Sequence, residues 1–435
     1  MAIRVRIFHI NQMIESFSIP FETYTLPNGL TVLLHPSADS PVVALEVMYH
    51  VGSKNEHPGR TGLAHLFEHM MFKGSAHVED GEHFRRLQEI GAEVNGSTNE
   101  DRTNYYEVLP PEHLEMALFL EADRMGGLVP ALTQSKLDNQ RDVVKNERRQ
   151  SYENQPYGMA QETLNAAVFP PGHPYSWPVI GSMQDLDDAT LDDLREFFTA
   201  AYSPANAVVT IAGKYPPESI REWIEARFGG IPHHAPPEQP LIPPAISRPA
   251  QHITLHDNVT LPRVYLVWRS VPWCTDDDLS LDVATDILGA GKNSRLHRSM
   301  VIDEQVAQSV TAYQHGLESD GKLVIVATAR KGVRAAQLVD SIRRQVDIFL
   351  ERGLAPREFQ KSLNIKEAGL IFGFDGMRDR AHALALFQTL TGSAGNIFTH
   401  HARYGTLTPE GVLASTAACL GGNPVILEIL PAESA

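Results

Sequence analysis

Short apolar stretches at the start of the chain indicate β-strands. Asn28-Gly29 lies between two of them in YTLPNGLTVLLHP, and this pair favours a tight hairpin turn. The following VVALEVMYHVG continues the strand pattern, and ITLHDNVTLPRVYLVWRSV repeats it in the second half of the sequence. Residues 191–202 and 333–353 instead have the apolar period of helices. The mixture predicts an α+β or α/β fold with a substantial antiparallel component.

A proline-rich segment divides the chain into two halves of similar length. Residues 229–251, GGIPHHAPPEQPLIPPAISRPAQ, have neither a helical nor a strand period, which is typical of an extended linker. We therefore expect an N-terminal half over residues 1–230, a linker over 231–251 and a C-terminal half over 252–435.

The two halves resemble each other weakly. VMYHVG at residues 47–52 aligns with VWRSVP at residues 267–272, and each stretch is followed by a polar turn and a helical pattern. This fixed offset makes an internal duplication plausible.

The charge balance narrows the class of partner. The chain has 37 Lys and Arg against 53 Asp and Glu, a net charge of −16. This charge argues against a nucleic-acid backbone or an anionic membrane as the main partner. It is compatible with cationic substrates, although an acidic surface commonly serves solubility alone. The sequence has no apolar run of about 18 residues, so we expect no transmembrane helix.

Neither the cysteines nor the N-terminus identifies a compartment. Cys274 and Cys419 are too few for a disulfide scaffold and too far apart for a CxxC motif, and whether they pair stays open. The first residues, MAIRVRIFHINQM, lack the long apolar region and the cleavage site of a signal peptide. Both a cytoplasmic protein and a periplasmic protein without its leader are compatible with this start.

Residues 62–74, GLAHLFEHMMFKG, contain the candidate metal-binding and catalytic residues. The interior consists of good helix formers, with Thr61 expected as the N-cap and Gly74 expected to end the helix. On such a helix His65 and His69 lie one turn apart on one face, so two imidazoles can converge on one metal ion.

Glu68 lies beside the same face and can reach water at the metal without binding the metal itself. A histidine pair at this spacing is usually accidental, but three polar groups in an otherwise apolar helix are costly without partners. The complete H-x-x-E-H pattern is the inverted zincin motif. In such a site the metal activates water and polarises the substrate carbonyl, while the carboxylate takes and returns the proton.

A third ligand is required, because two histidines leave zinc under-coordinated. Glu147 lies on a predicted helix at residues 137–149 and shares its inward face with apolar neighbours. The alternative is a solvated glutamate that pairs with Arg148 or Lys145, and Glu153 is the nearest competing ligand.

These motifs resemble the M16 metallopeptidases, the family of pitrilysin, insulinase and the mitochondrial processing peptidase, and specifically its short subfamily B. The matching residues are LPNG at 26–29, HLFEH at 65–69, NGST at 95–98 with Asp101 and Tyr105, NER at 146–148, NQPY at 154–157 and HPY at 173–175. By this resemblance His65, His69 and Glu147 bind one Zn²⁺ per chain, and Glu68 is the catalytic general base and acid.

The resemblance also implies a fold and a way of binding substrate. The family has two homologous α/β halves, each internally duplicated, with an antiparallel sheet and helices on one face. Two such chains enclose a chamber like a clam shell. The strand at residues 92–98 then lies beside the zinc and binds a peptide as an added strand, which makes Asn95 and Gly96 substrate-binding residues. From the residues alone, Asn95 is equally well a turn residue.

Two departures from the family pattern matter. Many members have a second glutamate seven residues before the ligand glutamate, where this chain has Gln140, which is a candidate for support of the metal ligands. Family members often use an arginine and a tyrosine of the second half to hold the substrate carbonyl and its oxyanion. Here these positions fall on Val301 and Gln308, and Arg298 or Tyr313 can substitute only if the alignment shifts.

The second half of the chain also lacks the zinc motif. At the fixed offset between the halves, His65 and Glu68 fall over Thr285 and Leu288, which gives one metal site per chain.

The leading interpretation is a zinc metalloendopeptidase that cleaves peptides or unfolded segments bound in extended form. It is the catalytic subunit of a heterodimer, in which a homologous partner supplies the Arg/Tyr pair. A homodimer is the alternative assembly. The second interpretation is a non-catalytic core or scaffold subunit of the same fold, and the third is a metal-binding regulatory module without hydrolysis. The pattern specifies neither the natural substrate nor the cleavage specificity.

Overall fold

Two β-sheets, one in each half of the chain, organise the structure. The computed structural model describes residues 18–242 and 251–432. The N-terminal segment compared above with a signal peptide therefore lies outside the described residues, as do residues 243–250 of the expected linker. Within the described residues the strands are Glu22–Thr25 (β1), Thr31–Pro36 (β2), Val43–Tyr49 (β3), Glu93–Thr98 (β4), Thr103–Leu109 (β5), Ala207–Gly213 (β6), Gln251–Asp257 (β7), Arg263–Ser270 (β8), Ala307–Gly316 (β9), Gly321–Ala329 (β10) and Val425–Pro431 (β11).

The two sheets share one topology, which confirms the prediction of two related sheet-and-helix halves. The first sheet has the order β1-β2-β6-β3-β5-β4 and the second β7-β11-β8-β10-β9, so the second repeats the first without β1. The aligned stretches at residues 47–52 and 267–272 fall on β3 and β8, at equivalent positions. Each sheet contains one parallel pair, β2–β6 or β7–β11, so the sheets are mixed rather than purely antiparallel. Long crossover connections make these parallel pairs possible.

Helices fill most of the chain between the strands. Within the described residues the α-helices are Leu63–Met70 (α1), Glu82–Glu89 (α2), Leu114–Gly127 (α3), Gln134–Arg148 (α4), Ala160–Val168 (α5), Met183–Asp188 (α6), Leu191–Ala201 (α7), Ile220–Phe228 (α8), Asp276–Gly289 (α9), Ala335–Arg352 (α10), Pro356–Phe372 (α11), Met377–Thr391 (α12), Asn396–Tyr404 (α13) and Pro409–Leu420 (α14). The hairpin predicted at Asn28-Gly29 connects β1 to β2, and Gly29 has a φ of 88°.

The halves exchange helices, so each sheet is covered on both faces rather than on one. One face of the first sheet packs on helices of its own half, including α1, α3 and α8. Its other face packs on α12, which belongs to the second half and lies across β3 and β6. Conversely, α5 of the first half packs on β8 and β11 of the second sheet. The reason is that β3 and β6 are buried at every position, and a strand without a solvent face needs cover on both sides.

The junction between the halves agrees with a linker, although the domain limits at residues 230 and 252 stay a prediction. Helix α8 ends at Phe228, β7 begins at Gln251, and residues 231–242 contain no helix or strand. Cys274 and Cys419 are both free, so they do not pair. In the part of the chain that the structure describes, no helix combines the length and the apolar character needed to cross a bilayer.

Candidate metal centre

The helix predicted from the H-x-x-E-H pattern is α1, but its ends differ from those expected. Thr61 does not cap it, because the Thr61 hydroxyl donates to Asp185 Oδ2 at 2.6 Å and the N-cap residue is Gly62, with a φ of 88°. At the other end the helix stops at Met70, before Gly74. Both predicted caps are therefore wrong.

A carboxylate that the sequence analysis missed caps α1. Glu56 Oε1 accepts a hydrogen bond from Ala64 N at 2.8 Å, and Glu56 Oε2 accepts one from Gly62 N at 3.0 Å. Glycine is needed at position 62 because a Cβ there would lie 2.8 Å from the carbonyl oxygen of Ile180. Glu56 comes from an irregular turn before the helix, where no periodic pattern marks it. It holds the first turn of α1, from which His65 projects.

The structure brings the three predicted metal ligands together. Glu147 Oε2 lies 3.5 Å from His69 Nε2 and 3.9 Å from His65 Nε2. One potential ligand atom from each residue lies within 4.8 Å of the others. The two histidines come from α1 and the glutamate from α4, and these two helices pack against each other. Helical periodicity indicated each of the three residues, and the family resemblance implied that they meet at one site.

The alternatives considered for this third position do not hold. Arg148 pairs with Glu162 at 2.8 Å and with Glu153 at 3.4 Å, and Lys145 pairs with Asp187. Glu147 is therefore not the ion-pair partner of either neighbouring cation, and Glu153 is engaged away from the histidines.

This donor set fits zinc. Two imidazoles and one carboxylate, with a position left open, are the ligands of many hydrolytic zinc centres. Burial lowers the pKa of His65 to about 3 and also lowers the pKa of His69, so both rings are neutral at pH 7 and each can offer a lone pair to a metal. The three side chains line a cavity of about 430 Å³, which also contains Glu68 and Asn95.

Glu68 faces this cavity without belonging to the ligand cluster. Burial raises the pKa of Glu68 above its ordinary value, and the charge of Glu147 raises it further, although a hydrogen bond with Thr98 opposes both. A carboxylate with a pKa moved towards neutrality is suited to take up and release a proton near pH 7.

Gln140 contacts a ligand residue. A side-chain hydrogen bond with Gln140 raises the pKa of His69, against the larger lowering by burial, and Gln140 Nε2 donates to Asn139 Oδ1 at 2.7 Å. An acceptor on the second ring nitrogen orients a ligating histidine and selects its tautomer. Gln140 therefore stays a candidate for this role, as a neutral amide where many family members have a glutamate.

Asn95 and Gly96 lie in β4, which is an edge strand and pairs with β5 alone among the described residues. The interpretation of Asn95 as a turn residue is therefore wrong, since the β4–β5 turn comes after Thr98. Asn95 Oδ1 accepts a hydrogen bond from Gly96 N at 2.9 Å. A Cβ on Gly96 would lie 3.3 Å from Glu68 Oε1, so the missing side chain lets β4 approach the carboxylate closely. The free edge of β4 offers backbone groups to an extended peptide.

The second half contains no comparable cluster among its described residues. Thr285 and Leu288 lie buried in α9, the position equivalent to α1. The two possible substitutes for the missing Arg/Tyr pair do not line the cavity at His65. Arg298 lines a separate cavity between α9 and α11, and Tyr313 hydrogen-bonds to a glutamine of α5.

A second group of ligand-type residues lies behind the cavity and was missed by the sequence analysis. His83, Glu107 and Glu121 are fully buried and close together. Arg124 lies among them, with its Nε donating to Glu121 Oε2 at 2.9 Å and its guanidinium 4.2 Å from the centre of the Tyr105 ring. This guanidinium supplies the positive charge that the Glu121 carboxylate requires, so the group is a buried ion network. The sequence signal that could have indicated this network was the three-residue spacing of Glu121 and Arg124, which places them side by side on α3.

Comparisons with known proteins identify related chains. The family model described as insulinase, peptidase family M16, matches residues 31–175, and the model described as peptidase M16 inactive domain matches residues 188–366. A zinc protease of Helicobacter pylori named PqqE is 28% identical over 379 residues, which cover 85% of this chain and 84% of that protein. An uncharacterized zinc protease of Bacillus subtilis, YmxG, is 24% identical over 82% of this chain and 85% of its own length.

The fold has a close counterpart as well. The crystal structure of a protease from Helicobacter pylori superposes with a TM-score of 0.87 at 25% identity, and the match covers 95% of this chain and all of that one. Sequence motifs, topology and comparisons agree, and the chain belongs to the M16 peptidase family.

Proposed function

We propose that this protein is a zinc metalloendopeptidase that hydrolyses peptides or unfolded segments bound in extended form. The observation that carries the proposal is the convergence of His65, His69 and Glu147, with Glu68 beside them, in a cavity next to a free strand edge. The names of the two relatives, both zinc proteases, support the same class of activity.

Each residue of the site has a separate task. His65, His69 and Glu147 would hold the zinc ion, which supplies Lewis-acid polarisation of the peptide carbonyl and makes water more acidic. Glu68 takes the proton from the attacking water and delivers it to the leaving amine nitrogen. The edge of β4, with Asn95 and Gly96, aligns the peptide backbone across the cavity.

Metal analysis of single variants tests the ligands. His65→Ala and Glu147→Ala should lose most of the zinc, because each removes one of three protein ligands. Glu153→Ala is the matched control, since it removes a nearby carboxylate that pairs with Arg148 instead. Near-stoichiometric zinc in both ligand variants would refute the assignment.

Hydrolysis of a quenched fluorescent peptide tests the base. Glu68→Gln should keep its zinc and lose activity by about 10²–10⁴-fold, since an amide cannot carry the proton. Wild-type activity should disappear with a chelator and return with zinc. Zinc binding without hydrolysis would instead identify a metal-binding module, and the absence of both would identify a scaffold subunit.

The same proposal makes this chain the catalytic subunit of a heterodimer. Val301 and Gln308 stand where an arginine and a tyrosine are expected, so the site lacks these two donors to the developing oxyanion. Losing one such donor typically costs roughly 10²–10³-fold in rate. A homologous partner that closes the chamber can present its own pair. We therefore expect weak activity from this chain alone and a strong increase with a homologue encoded beside it. Full activity without a partner would favour a monomer or homodimer.

A further inference from the structure

Three residues of the matching motifs have no task in the proposed chemistry. Asp101, His173 and Tyr175 carry part of the resemblance, but none lines the metal cavity. All three contact the turn at residues 317–320, which connects β9 to β10 in the second half. They therefore lie where the two halves meet.

Asp101 is the centre of this junction. It is only 3% exposed, and both of its carboxylate oxygens have partners. Asp101 Oδ2 accepts a hydrogen bond from Glu318 N at 2.9 Å, and Oδ1 accepts one from the Tyr175 hydroxyl at 2.6 Å. The same hydroxyl accepts a hydrogen bond from Ser319 N at 3.3 Å. One carboxylate of the first half thus connects a motif tyrosine with the backbone of the second half.

Charge strengthens the contact. Lys54 is 2% exposed and lies 3.2 Å from Asp101 Oδ1, and it also bonds to the Glu318 carboxylate. His50 Nε2 lies 2.7 Å from the same Glu318 oxygen. A buried ammonium needs nearby carboxylates, and here one comes from each half. Removing either carboxylate therefore weakens the contact between the halves.

The junction continues to the substrate strand. Asp101 lies at the tip of the β4–β5 hairpin, where Asn99 N bonds to Arg102 O at 3.0 Å. Arg102 Nη1 donates to the carbonyl oxygen of Ser97 at 2.8 Å, and the next residue of β4, Thr98, hydrogen-bonds to Glu68. A shift of the tip therefore displaces β4 relative to the cavity.

We propose that Glu318 and Asp101 are positioning residues, which fix the tip of the β4–β5 hairpin and so align the free edge of β4 with the metal centre. The second half thereby controls peptide binding, although it carries no metal ligand. This inference rests on the proposed function, because it assigns β4 as the substrate strand.

Glu318→Ala and the more conservative Asp101→Asn test the inference, with Glu428→Ala as the matched control. Glu428, like Glu318, is a partly buried glutamate of the second half in a histidine pair, with His252 Nε2 at 3.1 Å, but it lies on β11 and no hydrogen bond joins it to the hairpin among the described residues. Hydrogen exchange of residues 93–104, zinc content and peptide kinetics are measured for each protein.

In both test variants we expect faster amide exchange in β4 and β5 and unchanged zinc. KM should rise about 10-fold with kcat within about twofold, since the lost contacts support binding rather than the proton transfer. The control should match the wild type in all three measurements. Unchanged exchange, or a fall in kcat at constant KM, overturns the inference, and loss of zinc would reassign both residues to folding.

A binding assay separates this inference from the proposed function. In a Glu68→Gln background, the affinity for a fluorescein-labelled unstructured peptide should fall about 10-fold with either substitution, in parallel with KM. If the wild type hydrolyses nothing, the peptidase proposal fails, while exchange and peptide affinity still decide on the positioning role. Faster exchange with unchanged affinity would overturn that role.

Discussion

Replacing Arg124 with methionine should destabilise the first half by about 3–5 kcal/mol, the cost of leaving one partner of a buried ion pair alone. Arg124 and Glu121 are each 1% exposed, and two nitrogens of the guanidinium bond to the two oxygens of Glu121. Burial alone raises the pKa of Glu121, but the charge of Arg124 holds that pKa below its ordinary value. Burial keeps the pKa of the neighbouring Glu107 well above its ordinary value. The variant therefore leaves one charged carboxylate without a cation, next to a protonated one.

Urea unfolding monitored by tryptophan fluorescence measures this cost, with Arg227→Met as the control. Arg227 pairs with Glu115 at 3.0 Å, but the two side chains are 39% and 48% exposed, so the control should lose less than about 1 kcal/mol. The double variant Glu121→Gln/Arg124→Met should recover most of the stability, because a neutral buried pair needs no counter-charge. A cost below about 1 kcal/mol for Arg124→Met, or a double variant less stable than the single one, would refute the reasoning.

Three further outcomes are expected. Gly96→Val should lower kcat/KM at least about 10-fold with zinc retained, because the branched side chain fills the space beside the Glu68 carboxylate. Gly96→Ala should lower kcat/KM less, since the contacts of its Cβ at 3.1–3.3 Å require only a small shift of the neighbouring side chains. Gln140→Glu should tighten zinc binding about 10-fold in a chelator competition, because a carboxylate makes His69 a stronger ligand. Burial alone raises the pKa values of Glu318 and Asp320, but their cationic and hydrogen-bonding partners hold both below ordinary values. The stabilisation that these two carboxylates give to the folded state is therefore present above about pH 4 and is lost as the pH falls further. The urea midpoints of the wild type and of the double variant Glu318→Ala/Asp320→Asn should converge below that pH.

The candidate metal ligands could be predicted from the sequence because a short helical period determines which face of a helix each residue occupies. His65 and His69 are one helical turn apart, and Glu147 shares a face with apolar residues of α4, so a 3.6-residue repeat places each of them. The same holds for the Asn28-Gly29 hairpin, whose turn chemistry is local. Only the convergence of α1 with α4 required knowledge beyond these periods, and the family resemblance supplied it.

Contacts between residues that are far apart in the sequence could not be predicted from it. Thr61 has the right chemistry for an N-cap, but Asp185, more than a hundred residues away, engages its hydroxyl, and Glu56 takes the cap instead. The pattern of a single strand likewise cannot identify which helix covers its second face. The family resemblance implied helices on one face of each half, and the second face of β3 is covered by a helix of the other half, a contact that the strand pattern does not specify.

The exchange of helices explains why a half without metal ligands is needed for the metal site. The strands β3 and β6 form the centre of the first sheet, and α12 covers their second face with apolar residues such as Ala381 and Leu384. Without α12 this face meets water, so the first half lacks a complete core of its own. The family model for the inactive domain begins at residue 188 and includes β6, a central strand of the sheet that supports α1. The candidate metal ligands therefore belong to the first half, whereas the core that supports them is built from both halves.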